Sequence, residues 1–475
     1  MFYCGMSFRF VVVVMSVLLL ICALHAQPFE DVTDSVGLTG LYKSPAAWID
    51  FNNDGWIDLY ISGQLWRNVE GRRFELVETA GITGRAVWAD MDNDGYIDVF
   101  AWGSGKYRLF RNLGGRGFQD LSHTLPEIPI EVCRGAVWGD FNNNGLVDLY
   151  VGGYEIWGKA HYVDVILENR GNGKFELVWK SPGKPQPARG ITTSDYNEDG
   201  ALDIYVSNYR LRPNRLWQNN GKGEFKDVAA QTGTAGNGPR SYGHTIGSAW
   251  GDLDNDGHLD LFVGNFSHPP ASQDRPMFLR NHGPEGNFTF KDMSAKAKLH
   301  WQESYASPAL GDFDNDGWLD LFFTTVYSGD SSVLYRNMGA WRFENVTKKH
   351  QLTSEKTYQA AWADFDNDGY LDMVTGARLY RNPGGSNSWI RVQLVGTRGV
   401  NLSAIGAQVR VKLGDYVLTR QVETGTGEGN QNDMRMHFGL GDHTGPVDVE
   451  IRWPDGHRQT VTTHVNQTLR VVRSR

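Results

Sequence analysis

Short apolar runs separated by polar turns fill most of this chain. Ala46-Ala47-Trp48-Ile49 is followed by nine mostly polar residues and then by Leu59-Tyr60-Ile61, which reads as two strands joined by a turn. An apolar-Arg/Gln/Glu-Asn segment comes next, as in Leu65-Trp66-Arg67-Asn68, Leu334-Tyr335-Arg336-Asn337 and Leu379-Tyr380-Arg381-Asn382. A Phe-led strand completes the unit, as in Phe74-Glu75-Leu76-Val77, Phe225-Lys226-Asp227-Val228 and Phe343-Glu344-Asn345-Val346. The nine-residue turn occurs seven times, with starts 40, 50, 55, 57, 60 and 52 residues apart. A unit of that length with four strands suits one propeller blade.

The seventh unit has no Phe-led strand after Asn382, whereas Phe29-Glu30-Asp31-Val32-Thr33 stands unassigned ahead of the first turn. A strand from the N-terminus completing the last blade removes the open edge that a linear array would expose. The expected fold is all-β: a seven-bladed β-propeller closed by the N-terminal strand over residues 27–382, then a small C-terminal β-sandwich over 383–475. In that tail, Trp389-Ile390-Arg391-Val392-Gln393-Leu394 and Val447-Asp448-Val449-Glu450-Ile451-Arg452-Trp453 alternate as half-buried strands, and Asp455-Gly456 reads as a hairpin turn.

Composition agrees: hydrophobic residues are 40%, charged ones 21%, and 56 glycines mark a turn-rich chain. The apolar stretch from Phe10 to Leu24 follows Arg9 and ends near Ala26, which predicts a signal peptide over residues 1–26, with retention as an anchor the alternative. Once it is cleaved, no membrane span is expected, and the protein is secreted or extracytoplasmic. Cys4 and Cys22 would leave with it, so Cys133 has no internal disulfide partner and reads as a buried small residue.

Within the turns, positions 1, 3, 5 and 9 carry Asp or Asn and position 6 is Gly. The candidate ligands are Asp50, Asn52, Asp54 and Asp58; Asp90, Asp92, Asp94 and Asp98; Asp140, Asn142, Asn144 and Asp148; and Asp195, Asn197, Asp199 and Asp203. They continue with Asp252, Asp254, Asp256 and Asp260; Asp312, Asp314, Asp316 and Asp320; and Asp364, Asp366, Asp368 and Asp372. Alternate residues of a tight turn aim oxygens inward and a carbonyl at position 7 adds another, the hard oxygen set that Ca²⁺ prefers. Asp, Asn and Gly also make ordinary turns, but two carboxylates 4 Å apart repel by about 4 kcal/mol at an effective dielectric near 20, and a cation relieves this. The expected cofactor is Ca²⁺, up to seven ions, with a structural role. The third loop should bind weakest, because only two of its four ligand positions are carboxylates. The ligand positions of the loops hold 24 of the 55 acidic residues, so the formal net charge of −9 describes the metal-free chain.

These DxDxDGxxD loops with their LYRN and FxDV segments resemble the FG-GAP/VCBS repeats of integrin α-chain propellers. Asn401-Leu402-Ser403-Ala404-Ile405-Gly406-Ala407, His437-Phe438-Gly439-Leu440-Gly441 and Trp453-Pro454-Asp455-Gly456 resemble the ASPIC/UnbV domain, and the combination is the layout of the cartilage acidic protein family. The resemblance implies extracellular calcium binding and matrix or cell-surface association, with no catalytic residues to carry over. Gly425 to Gly429 continues as Asn430-Gln431-Asn432, where the family more often has Tyr and Ser before the Gln, which leaves any ligand role for that turn in doubt.

On the face opposite the metal turns, Tyr42, Arg85, Arg134, Arg189, Arg240, Tyr242, His244, Tyr305 and Tyr358 stand at matching places before the first strands of successive units. Insertions at Trp157 to Tyr162, Tyr209 to Arg215 and His268 to Arg275 add basic and aromatic residues. Against a solvated rim with packed tyrosines stands a cationic, aromatic mouth for an acidic ligand. Three classes stay open: an extracellular binding or adhesion scaffold for a protein or anionic glycan; a multivalent lectin; and an enzyme at the central mouth using His244, Glu131, Glu303 or a Tyr. Nothing points to a nucleic-acid partner.

Overall fold

The computed structural model describes residues 28–103, 105–238, 242–268 and 273–474, so the expected signal peptide and Arg240 lie outside the described residues. Seven antiparallel four-stranded sheets account for residues 30 to 381. The first is Ala46–Ile49, Asp58–Ile61, Gln64–Val69 and Arg73–Leu76, in that order from its inner to its outer edge. The last is Ala360–Ala363, Asp372–Thr375 and Arg378–Arg381 with Glu30–Asp31 on its outer edge, Glu30 opposite Arg381 and Asp31 opposite Tyr380. Each inner strand packs on the next, and Ala360–Ala363 packs on Ala46–Ile49, so the order is cyclic. Every inner strand is almost wholly buried because its side chains face neighbouring blades on both sides, which is why these runs are apolar without alternation. Tryptophans reach backwards across the seams: the indole N–H of Trp48 donates to Ala361 O at 3.3 Å, that of Trp138 to Val87 O at 3.0 Å and that of Trp362 to Ala309 O at 3.3 Å.

The C-terminal region forms two further sheets. One pairs Ser388–Val395 with Met436–Gly441 and, in parallel, with Gln467–Val472. The other orders Tyr416–Gln421, Gln408–Leu413, Val447–Arg452 and Arg458–Thr463, with Gly456 at φ 82° in the turn between the last two. Ile390, Val392, Val409, Val411, Phe438, Val449 and Ile451 fill the space between them. Among the described residues no helix is long and apolar enough to cross a membrane.

This second unit sits on the face of the propeller that carries the nine-residue turns. Arg391 bonds Asp364 at 3.1 Å and Asn367 at 2.7 Å, Arg410 bonds Gly257 O at 2.9 Å, and Arg452 pairs with Asp195. From it, residues 422–435 run as a finger down the central channel and touch all seven inner strands. Gln431 bonds the backbones of Ala46 and Trp88, Thr424 bonds Trp138 O at 2.7 Å, and Gly427 N donates to Ser248 O at 2.8 Å. Glu428 meets Arg189 and Ser307 at the far end, and Asn432 Oδ1 accepts from Trp362 N at 2.9 Å. Close approach requires glycine here: a Cβ on Gly190 would lie 2.4 Å from Gly427 O, and one on Gly247 2.6 Å from Gly427 C.

Candidate metal centres and central face

Each turn folds on itself before any ion is considered. In the first, Asp50 Oδ1 and Oδ2 accept from the amides of Asp54 (3.1 Å) and Gly55 (3.0 Å), and Asp54 Oδ1 accepts from Trp56 N at 2.9 Å. Position 4 lies at positive φ (56° at Asn53) and so does the glycine at position 6 (86° at Gly55), which explains Asn and Gly there. Position 9 is buried in every loop: Asp58 Oδ1 accepts from Asn68 N at 2.7 Å and Oδ2 from Phe51 N at 3.1 Å.

In four loops the carboxylates converge. Ligand oxygens of Asp90, Asp92 and Asp94, of Asp252, Asp254 and Asp260, of Asp312, Asp314 and Asp316, and of Asp364, Asp366 and Asp372 lie within 4.8 Å of one another, so each group could hold a metal ion. Position 3 carries the clearest sign. The Oδ1 atoms of Asp92, Asp254, Asp314 and Asp366 are buried with no hydrogen-bond partner, which an apolar enclosure does not tolerate but an oxygen-coordinated cation satisfies. The other oxygen of each faces the arginine of the LYRN segment, Arg111 (2.6 Å), Arg280 (2.6 Å), Arg336 (2.6 Å) and Arg381 (3.4 Å). Loops 1 and 4, with Asn at position 3, instead close internally: Asn52 Nδ2 donates to Asp54 Oδ2 and Asn197 Nδ2 to Asp199 Oδ2, both at 2.8 Å.

Burial is the largest influence on these acids and the neighbouring carboxylates add to it, so Asp90 is pushed up to about 7 and Asp98 to about 8. Burial and Asp256 raise Asp254, and burial and Asp316 raise Asp314, each to about 6 against the pull of its arginine. Without a cation Asp90 and Asp98 resist ionisation near neutral pH. Arg420, from the C-terminal unit, stands near Asp252, Asp312 and Asp320 with Nε and Nη2 unpartnered, supplying positive charge between loops five and six.

Two sets of asparagines that the sequence pattern left without a role join the blades. The Asn of each LYRN-type segment donates from Nδ2 to the carbonyl of loop position 2 in the preceding blade: Asn112 to Phe51 (2.7 Å), Asn169 to Met91 (2.7 Å), Asn219 to Phe141 (2.8 Å) and Asn281 to Tyr196 (3.0 Å). Asn337 reaches Leu253 (2.9 Å), Asn382 reaches Phe313 (2.7 Å), and Asn68 joins the first blade to Phe365 of the last (2.8 Å). The Asn at loop position 4 reaches the glycine carbonyl of the following loop, from Asn53 to Gly95 (2.7 Å) round to Asn367 to Gly55 (3.3 Å). Loop four has Glu198 there instead, and it bonds His258 of loop five at 2.6 Å.

On the opposite face, Tyr42, Arg85 and Arg134 line one cavity of about 440 Å³ together with Lys43, Lys106, Tyr107, Glu131 and Cys133. Burial pushes the Cys133 thiol up to about 12. Arg189 lies across the channel mouth over the Tyr209 ring, 4.9 Å from its centroid. Arg189 and Arg85 both face Glu428 at the tip of the finger, at 2.8 and 3.6 Å. His244 packs on Tyr209 (4.7 Å) and His268 (5.4 Å), and burial lowers its pKa to about 4; His268 Nδ1 is 2.6 Å from Glu303. Tyr305 is a correction to the rim reading: it stacks on Phe323 at 4.2 Å with its hydroxyl on His300 O, because its strand turns that side chain into the blade interior. Tyr358 is exposed, and Tyr242 lies beside Gly236.

The FG-GAP-like repeat model matches residues 90–151, 195–263 and 312–375, and the ASPIC and UnbV model matches 396–475. Cartilage acidic protein 1 of Mus musculus is 29% identical over 306 residues, covering 60% of this chain and 45% of the relative; that of Homo sapiens is 29% identical over 306 residues, covering 60% and 44%. The chain thus spans under half the length of these relatives. Solved structures similar to it include an Agrocybe aegerita lectin recognising non-reducing terminal N-acetylglucosamine (17% identity, 70% of this chain and 88% of that one, TM-score 0.40). The Dos1 propeller is another (11% identity, 70% and 75%, TM-score 0.36). FG-GAP-like repeats running into an ASPIC and UnbV tail are the two family signatures this chain carries, and cartilage acidic protein 1 is similar to it over 60% of this chain's length.

Proposed function

We propose that the protein is an extracellular, calcium-loaded propeller that serves as a binding scaffold and takes an anionic ligand, an acidic protein segment or an anionic glycan, at its central face. The observation that carries the ligand reading is the cavity in which Lys43, Arg85, Lys106 and Arg134 stand with Tyr42 and Tyr107 around about 440 Å³ of space, four cations against the single carboxylate of Glu131. Aromatic walls and convergent cations suit a sulfated or carboxylated glycan and an acidic loop alike. Calcium is the ion of choice because positions 1, 3, 5 and 9 carry only Asp and Asn, hard oxygen donors, and the buried, unpartnered Oδ1 atoms at position 3 support its presence.

The test is binding of the mature, Ca²⁺-saturated chain to a panel of sulfated and carboxylated oligosaccharides and to a Glu-rich peptide, beside a Lys43→Glu/Lys106→Glu/Arg134→Glu variant. Binding that the variant loses supports the reading, and glycan or peptide preference selects the ligand class. Binding that charge reversal leaves unchanged refutes it. Saturable binding of neutral sugars at several equivalent sites establishes the lectin alternative.

A further inference from the structure

The finger that fills the channel ends in Thr426-Gly427-Glu428-Gly429-Asn430. Its turn is closed by Thr426 N to Asn430 O at 2.8 Å and Asn430 N to Thr426 O at 3.1 Å, with both glycines at positive φ (61° and 75°). That geometry delivers one carboxylate to the mouth on the face opposite the metal turns. Glu428 Oε1 accepts from Arg189 Nε (3.0 Å) and Nη2 (2.8 Å) and faces Arg85 Nη1 at 3.6 Å, and Oε2 accepts from Gln359 Nε2 at 3.1 Å. Arg85 is itself held by the Arg134 carbonyl at 2.9 Å, and Arg189 by the Tyr209 ring. Two guanidinium groups therefore share one carboxylate and keep an excess positive charge. The glutamate side chain is 4% exposed while Arg85 and Arg189 are 22% and 18% exposed, so the cations reach solvent and the acid does not.

We propose that the Arg85–Arg189 pair is a carboxylate-binding site whose resident occupant is the chain's own Glu428, and that a ligand-borne or free carboxylate takes the same place when Glu428 is removed or displaced. This rests on the anionic-ligand reading of the central face and narrows it to carboxylates. The physical basis is a donor set fixed by the protein before the acid arrives: Arg189 gives two N–H groups to one carboxylate oxygen, Gln359 gives one to the other, and Arg85 adds a second positive charge beside them. The site would survive loss of the glutamate side chain. The tip backbone is fixed by its own turn and by Gly427 N to Ser248 O (2.8 Å) and Glu428 N to Ser307 Oγ (3.0 Å). Glu428→Ala thus leaves a hole of carboxylate size between two fixed arginines.

The experiment is chemical rescue in the full mature chain. Wild type, Glu428→Ala and Glu428→Gln are compared by thermal unfolding and titration calorimetry in sodium acetate and in sodium chloride of equal ionic strength. The expected result is a lower melting temperature for Glu428→Ala that acetate, but not chloride, restores saturably, with no acetate-specific gain in wild type. Equal effects of acetate and chloride on Glu428→Ala overturn the proposal. Should Glu428→Ala fail to fold, Glu428→Gln, which keeps the side chain's size, is titrated with a Glu-rich peptide. Binding at least tenfold tighter than wild type supports a displaced resident competitor, and equal binding overturns it. Wild type that ignores the whole glycan and peptide panel defeats the anionic-ligand reading while leaving the acetate rescue intact, so the two failures are distinguishable.

Discussion

Replacing Asn68 by Ala tests how the first and last blades are held together. The side chain makes three hydrogen bonds, two buried and one partly buried: Nδ2 to Ile57 O at 3.0 Å within its own blade, Nδ2 to Phe365 O at 2.8 Å across the seam, and Oδ1 from Gly71 N at 2.9 Å. Each contributes about 1 kcal/mol net, and truncation strands two buried carbonyls and an amide, so Asn68→Ala should lose about 3 kcal/mol. Asn68→Asp should lose more, since it turns a carboxylate oxygen toward carbonyl oxygens in a site that is 1% exposed. The neighbouring Arg67 provides the control. Its ion pair with Glu75 is over a third exposed on both sides, so Arg67→Ala should change stability by no more than about 1 kcal/mol. Urea unfolding in saturating Ca²⁺, followed by tryptophan fluorescence, measures all three. Asn219→Ala, which loses the equivalent three bonds far from the chain's ends, should match Asn68→Ala. An Asn68→Ala loss no greater than that of Arg67→Ala would refute the argument that these amides stitch the ring.

Three further outcomes are expected. Asp314→Asn removes a buried carboxylate oxygen from the sixth loop and should lower the number of tightly bound Ca²⁺ by one, counted by native mass spectrometry, while Asn142→Ala in the carboxylate-poor third loop should not change that number. Glu428 is pushed up by burial but pulled further down by Arg189 and Arg85, with Arg134 beyond them, so its pKa lies below the ordinary glutamate value of about 4.3. A depressed acid stabilises above its unfolded pKa and that stability is lost as pH falls through its folded pKa, so Glu428→Gln should flatten the acid limb of a stability–pH curve below about pH 4. Gly190→Ala places a Cβ 2.4 Å from Gly427 O and should cost about 1–3 kcal/mol in urea unfolding through overpacking against the finger.

The propeller was legible because its repeat is local. Strand, nine-residue turn and strand lie within some twenty residues, and a ligand pattern at positions 1, 3, 5 and 9 is as visible in the sequence as the turn it makes in space. The strand at Glu30–Asp31 was legible for a different reason: four-strand counting left one unit short and one strand spare. What local pattern did not reveal is each residue whose partner is distant in sequence. Tyr305 looked like its exposed counterparts until Phe323 of the paired strand supplied a face to stack on. Asn430-Gln431-Asn432 after the glycine-rich stretch read only as a departure from a family motif, because the seven strands that receive the finger lie scattered between Ala46 and Ala363 and no spacing rule connects them to it.

The asparagines occupy a middle ground, and they show where sequence reasoning could have gone further. An amide recurs at the end of the third strand of all seven units, at a position where the Arg, Gln or Glu before it varies. Its backbone N–H is already consumed by the aspartate at position 9, as Asn68 N on Asp58 shows, so an invariant side chain there must serve a group outside its own ladder. The one group presented to all seven alike is the turn of the preceding blade. In a cyclic array that relation has no first or last member, and the bond from Asn68 to Phe365, 297 residues apart in the chain, is the same bond as the one from Asn112 to Phe51. The side chains that fix each nine-residue turn to the next blade are therefore the ones that carry the order of the ring across the ends of the chain.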